Sequence, residues 1–144
     1  MKWRTDRRFV RGFTYTELIL TVAVAMVTMG IAAPGLMSWI PAMRLSSAAR
    51  QVATDLQLAR MKAIAQNANY TVSFSGNTYS FGGASRNLAT LYPGITVTTS
   101  SNPQFFPRGT ASAAVTITLS NGGAQKWVCV KTVGRVNIAD ATCS

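Results

Sequence analysis

The stretch that decides the fold is Arg11-Gly12-Phe13-Thr14-Tyr15-Thr16-Glu17-Leu18, which runs into LILTVAVAMVTMGIAA over 18–33. That apolar run carries no charge, whereas Lys2, Arg4, Arg7, Arg8 and Arg11 crowd the positions ahead of Phe13. A basic head before an apolar run has three physical readings: a cleaved secretory signal, a membrane anchor or a buried core helix. The core helix fits worst, because no face of the run is polar enough to meet water. A cleaved signal fits the charge, and Ile31-Ala32-Ala33 offers small residues for a cut, but Pro34 follows at once and the helical pattern continues past it. Glu17 also resists that reading, since a carboxylate deep in a membrane costs ~2.5–3.5 kcal/mol. The stretch 13–40 is long enough to span a bilayer, which needs ~20 apolar helical residues. Pro34-Gly35 lies inside it, where a proline removes one helical hydrogen bond and bends the helix or ends it. Pro41 marks a candidate second break.

Beyond Pro41 the pattern changes. Leu45, Ala48, Val52, Leu56, Ala59 and Ala63 recur at three-and-four spacing, while Arg50, Thr54, Gln57 and Met61 fall elsewhere on the wheel. This predicts an amphipathic helix over 41–68 whose stripe packs on a sheet or serves as a helix–helix seam, with Asn67-Ala68-Asn69 ending it. From Tyr70 onward the chain reads as antiparallel β. Strands are predicted over 70–74, 78–81, 95–98, 115–119, 126–130 and 135–138, with turn signals at Ser75-Gly76-Asn77 and Ser120-Asn121-Gly122-Gly123. The segments 82–92 and 99–113 read as loops. The expected organisation is therefore a leader over 1–12, an apolar helix over 13–40, an amphipathic helix over 41–68 and a β domain over 69–144. The fold class is α+β.

Composition narrows the chemistry. In 144 residues there are 14 Lys+Arg, 4 Asp+Glu and no histidine, for a formal charge of +10. Without histidine there is neither a Ser-His-Asp nor a Cys-His nucleophile pair, nor a His-bearing metal site. The acids Asp6, Glu17, Asp55 and Asp140 are scattered, which disfavours a carboxylate-pair hydrolase or a Ca/Mg cage. Two cysteines do not make a zinc site. No catalytic residue, metal ligand or cofactor is expected.

The Gly12-Phe13 junction, with Glu17 fifth after it and a basic leader before it, resembles the processing motif of type IV prepilins and pseudopilins. Tyr15-Thr16 departs mildly from the aliphatic pair common there. The resemblance implies cleavage by a prepilin peptidase between Gly12 and Phe13, N-methylation of Phe13, and a pilin architecture of one long helix on a small antiparallel sheet. It implies that the helix sits in the bacterial inner membrane as a single pass, with the domain in the periplasm, and packs on other pilin or pseudopilin subunits. Glu17 would meet the terminal amine of a neighbour, which offsets the desolvation of a buried carboxylate; alternatively it marks the membrane interface. Pro34 stands where many pilins carry a proline. Phe106-Pro107-Arg108-Gly109-Thr110, Ile117-Thr118-Leu119 and Trp127-Val128-Cys129-Val130 with Gly134-Arg135-Val136 resemble the GspH/FimT branch of minor pilins and pseudopilins. The implied role is a structural subunit that starts or tips a type IV pilus or a type II secretion pseudopilus.

A domain carried outside the inner membrane meets an oxidising compartment, so Cys129 and Cys143 are expected to pair. Two free thiols are the alternative. Such a bridge is commoner among minor pilins than among secretion pseudopilins. The β region holds Arg86, Arg108, Lys126, Lys131 and Arg135 against Asp140 alone, a balance suited to nucleic acid or to a solvated or inter-subunit face. Some FimT-branch members bind DNA during natural transformation through Gly-Arg-x-Arg. Here Gly134-Arg135-Val136-Asn137 lacks the second arginine. Arg108, Lys126, Lys131 and Arg135 are the candidate DNA-binding residues.

Overall fold

A computed structural model of the chain describes residues 13–143, and for 31–38 the backbone alone. Gly12 and the leader lie outside the described residues, and so does the side chain of Pro34. Thr14 opens helix α1 (Tyr15–Ala65): its Oγ1 accepts a hydrogen bond from the Glu17 backbone N–H at 3.3 Å. Thr14 and Glu17 thus occupy the first and last positions of a Thr-x-x-Glu start signal, and Glu17 falls in the first turn, where a carboxylate suits the helix dipole. The helix runs through Pro41 instead of breaking there; an internal proline removes one hydrogen bond without having to end the ladder.

The chain divides into two units, Met1–Met37 and Ser38–Ser144. In the described part of the first, Phe13, Leu18, Ile19, Leu20, Val22, Val24, Met26, Val27 and Met29 are all exposed. Apolar side chains therefore ring the helix on every face. The Thr21 hydroxyl donates to Leu18 O at 2.9 Å and that of Thr28 to Val24 O at 3.0 Å, so both hydroxyls are satisfied without solvent. Among the described residues no helix is long and apolar enough to cross a membrane; the expected span 13–40 includes 31–38, whose side chains lie outside the described residues.

The second unit builds its core on the predicted stripe: Leu45, Ala48, Val52, Leu56, Ala59 and Ala63 are all buried. Alanine at alternate turns lets the sheets approach the helix closely. The strands are β1 (Tyr70–Thr71), β2 (Ser73–Ser75), β3 (Thr78–Phe81), β4 (Ala84–Asn87), β5 (Thr96–Thr99), β6 (Gln104–Phe105), β7 (Val115–Ser120), β8 (Gln125–Val130) and β9 (Val136–Ala139), with a short helix α2 (Leu88–Leu91) after β4. They form three antiparallel sheets, ordered β1-β6, β2-β3-β4 and β5-β7-β8-β9. Period-two burial is plain on β7, where Val115, Ile117 and Leu119 turn inward and pair with Val130, Val128 and Lys126. On β8 the alternation fails, because Val128, Cys129 and Val130 are all buried. Val128 and Val130 join the core, while Cys129 faces the other way.

Three expectations are corrected here. The run 70–74 is two strands, since β1 pairs with β6 and β2 with β3. Residues 82–92 are not a loop: Gly82-Gly83, both with positive φ, make a two-residue turn that returns the chain as β4 against β3, and Asn87 Oδ1 caps α2 by accepting from Ala89 N at 2.9 Å. Within 99–113 lies β6, which at two residues is too short to show a period.

Candidate functional site

One acid lies on the apolar stripe of α1. Asp55, only 3% exposed, is the buried charged residue of the core. The Tyr79 hydroxyl of β3 donates to Asp55 Oδ2, Gln51 Nε2 donates to the same oxygen at 3.1 Å, and Arg86 Nε of β4 stands 3.0 Å from it, close enough to pair but not aligned for a hydrogen bond. Burial, the Asp55 hydrogen bond and the Asp55 charge all push the Tyr79 phenol well above its ordinary range. Sequence reading left Asp55 without a role and counted Arg86 among the free cations. The available signal was positional: an aspartate three residues after Val52 and beside Leu56 must point where the stripe points. The cluster ties α1 to the β2-β3-β4 sheet.

A second junction joins the helix to the loops. Phe106-Pro107-Arg108-Gly109 forms a turn in which Gly109 N donates to Phe106 O at 2.8 Å, and Lys131-Thr132-Val133-Gly134 forms another in which Gly134 N donates to Lys131 O at 2.7 Å. Both glycines have φ +79. The turns lie against each other: a Cβ on Gly134 would stand 1.8 Å from Gly109 O and 2.9 Å from Arg60 Nε. Arg60 Nε donates to Gly109 O at 2.7 Å, so the guanidinium of α1 clasps the turn. Two motifs far apart in sequence thus form one unit, in which Gly134 leaves the space that the Gly109 carbonyl occupies.

Three of the four candidate cations border depressions of the surface. Arg108 borders a depression with Asn67, Phe106, Pro107 and Thr110. Lys131 borders another with Cys129, Cys143 and Val115. Arg135 borders a groove with Arg60, Met61, Ile64 and Val133. Lys126, near the opposite end of β8, is ion-paired with Asp140. Cys129 and Cys143 form a disulfide with Cα atoms 5.7 Å apart, fixing the tail over the outer face of β8. Among the described residues no three His, Cys, Asp or Glu side chains gather as a metal site.

A long N-terminal helix packed on small antiparallel sheets places the chain in the pilin-like α+β fold class. The sequence matches the family model described as Type II transport protein GspH over residues 48–134, more than half of the chain, and the chain belongs to that family. Two crystal forms of the Pseudomonas aeruginosa type IV minor pilin FimU share the fold at TM-scores of 0.57 and 0.58 and 18% identity, covering 66% of this chain and 92% and 87% of theirs. No curated protein matches the sequence. The family is that of GspH, and the fold is that of a type IV minor pilin.

Proposed function

We propose that the chain is a minor pilin or pseudopilin, a filament subunit that starts, tips or caps a type IV pilus or a type II secretion pseudopilus. The observation that carries this reading is the contrast within α1. Over 18–30 its residues are uncharged, mostly apolar and exposed on every face, while over 45–63 one face is buried in a folded domain of the GspH family. An apolar helix surface of that extent must be covered, by lipid before assembly and by neighbouring helices after it. Prepilin peptidase cuts between Gly12 and Phe13, and Phe13 is methylated. The helix then holds the chain in the inner membrane with the β domain in the periplasm. In the filament Glu17 meets the amine of a neighbouring subunit, and Pro34 loosens the helix for packing. The name of the family weighs toward secretion; the disulfide and the fold of FimU weigh toward a pilus. The test is processing in the native host: Gly12 substitution leaves a longer precursor, and N-terminal sequencing of the wild type reads from Phe13. A mature chain starting at Pro34 sinks the reading.

The charge supports a second reading, a DNA-binding minor pilin serving uptake. From residue 38 onward nine basic side chains stand against Asp55 and Asp140. Binding of duplex DNA at low ionic strength, lost as salt rises and weakened by Arg135→Ala and Lys131→Ala, is the expected result. Asn137 in place of a second arginine, and the pairing of Lys126 with Asp140, leave it the weaker of the two.

A further inference from the structure

The groove beside the Arg60 clasp presents both charge and apolar surface. Met61, Ile64 and Val133 are 58%, 49% and 65% exposed along it. Arg60 gives its Nε to Gly109 O, which fixes the guanidinium in place and leaves its other N–H groups unspent on that bond. Arg135, exposed, stands on the opposite lip. Two guanidiniums flanking three exposed apolar side chains suit a segment that carries both carboxylates and aliphatic side chains.

A second copy of this chain is a poor source of acids, because the one exposed carboxylate among the described residues of the same unit, Asp140, is already paired with Lys126. From residue 38 onward the sequence has two acidic side chains. Asp55 is buried against Tyr79 and Arg86, and Asp140 is taken by Lys126. Two copies set face to face would bring like charges together, which disfavours the wrong pairing. Nucleic acid fits less well, because a phosphate backbone brings no aliphatic side chain to Met61, Ile64 and Val133.

We infer that this groove docks a different, acid-bearing subunit of the same filament, through a carboxylate held between Arg60 and Arg135 and an aliphatic side chain on Met61, Ile64 and Val133. The inference rests on the reading of the chain as a filament subunit. The full chain, with a photo-crosslinking amino acid at Val133, is expressed in its native host and irradiated, and adducts are mapped in membranes and in sheared filaments. The expected adduct joins a different pilin-like chain at a segment bearing Asp or Glu. It falls about tenfold or more with Arg135→Glu, the scale on which interfacial charge pairs act, and persists with Arg135→Lys. It returns when the mapped acid is changed to Arg in the Arg135→Glu background. Arg135 is exposed, and an unchanged melting transition shows that its variants fold. A self-adduct, an adduct to DNA alone, no adduct, or one indifferent to Arg135→Glu overturns the inference. If the chain is absent from filaments yet forms the charge-dependent adduct in membranes, the filament reading fails and the groove stands. If it is present in filaments without that adduct, the groove alone fails.

Discussion

Gly134 packs so tightly on Gly109 that a Cβ at 134 would stand 1.8 Å from the Gly109 carbonyl oxygen. That oxygen also accepts the Arg60 hydrogen bond at 2.7 Å. Helix, first turn and second turn are thereby fixed by one carbonyl, and each partner tolerates little change.

Gly134→Ala is expected to destabilise the β domain by more than the ~1–2 kcal/mol that a left-handed backbone costs an L-residue, because the clash adds to the strain. Arg60→Ala, which leaves the backbone alone, should cost less. Urea unfolding followed by tryptophan fluorescence ranks the two, and an unaffected Gly134→Ala midpoint would count against the packed junction.

The Asp55 cluster predicts non-additivity. Asp55→Ala leaves the Tyr79 hydroxyl buried without its acceptor, at ~1–3 kcal/mol, with a small further loss from half-exposed Arg86. Tyr79→Phe should cost less, since Gln51 and Arg86 still serve the carboxylate. The double variant should fall short of the sum by ~0.5 kcal/mol or more. Strict additivity would show that the two side chains act apart.

Tyr79 also sets an alkaline limit. Its phenol is raised in the folded state by burial first and by Asp55 second. In the unfolded chain it ionises near pH ~10, so above that pH the unfolded state binds fewer protons and stability declines as pH rises. Below pH ~10 the contribution is fully present. Tyrosinate absorbance should therefore jump on denaturing the protein at a pH just above 10, and the jump should shrink in Tyr79→Phe.

The Cys129–Cys143 bridge closes a loop with a sequence separation of 14. Cys143→Ser should cost ~3 kcal/mol in the chain-entropy picture and release the tail from the outer face of β8. Thiol titration of the unreduced wild type should find no free cysteine. A free thiol there would instead favour the reduced alternative.

The sequence alone determined the pieces whose signal is local. The uncharged run from Leu18 and the stripe Leu45, Ala48, Val52, Leu56, Ala59 and Ala63 can be read because each is continuous or periodic along one helix, and such a pattern survives in one dimension. The strand β7 is legible for the same reason at period two. The Gly82-Gly83 hairpin was legible in principle and passed over. Tertiary structure alone decided the rest. β6 exists because β1 offers it an edge far away in the sequence, Tyr70 opposite Phe105 and Thr71 opposite Gln104. Arg86 is a partner of Asp55 and not a free surface cation because β4 folds back onto α1. Gly134, which by sequence belonged with a DNA-binding motif, is held by Gly109 and Arg60. Pairings across such separations depend on which surfaces meet after collapse, and a linear pattern carries no record of that.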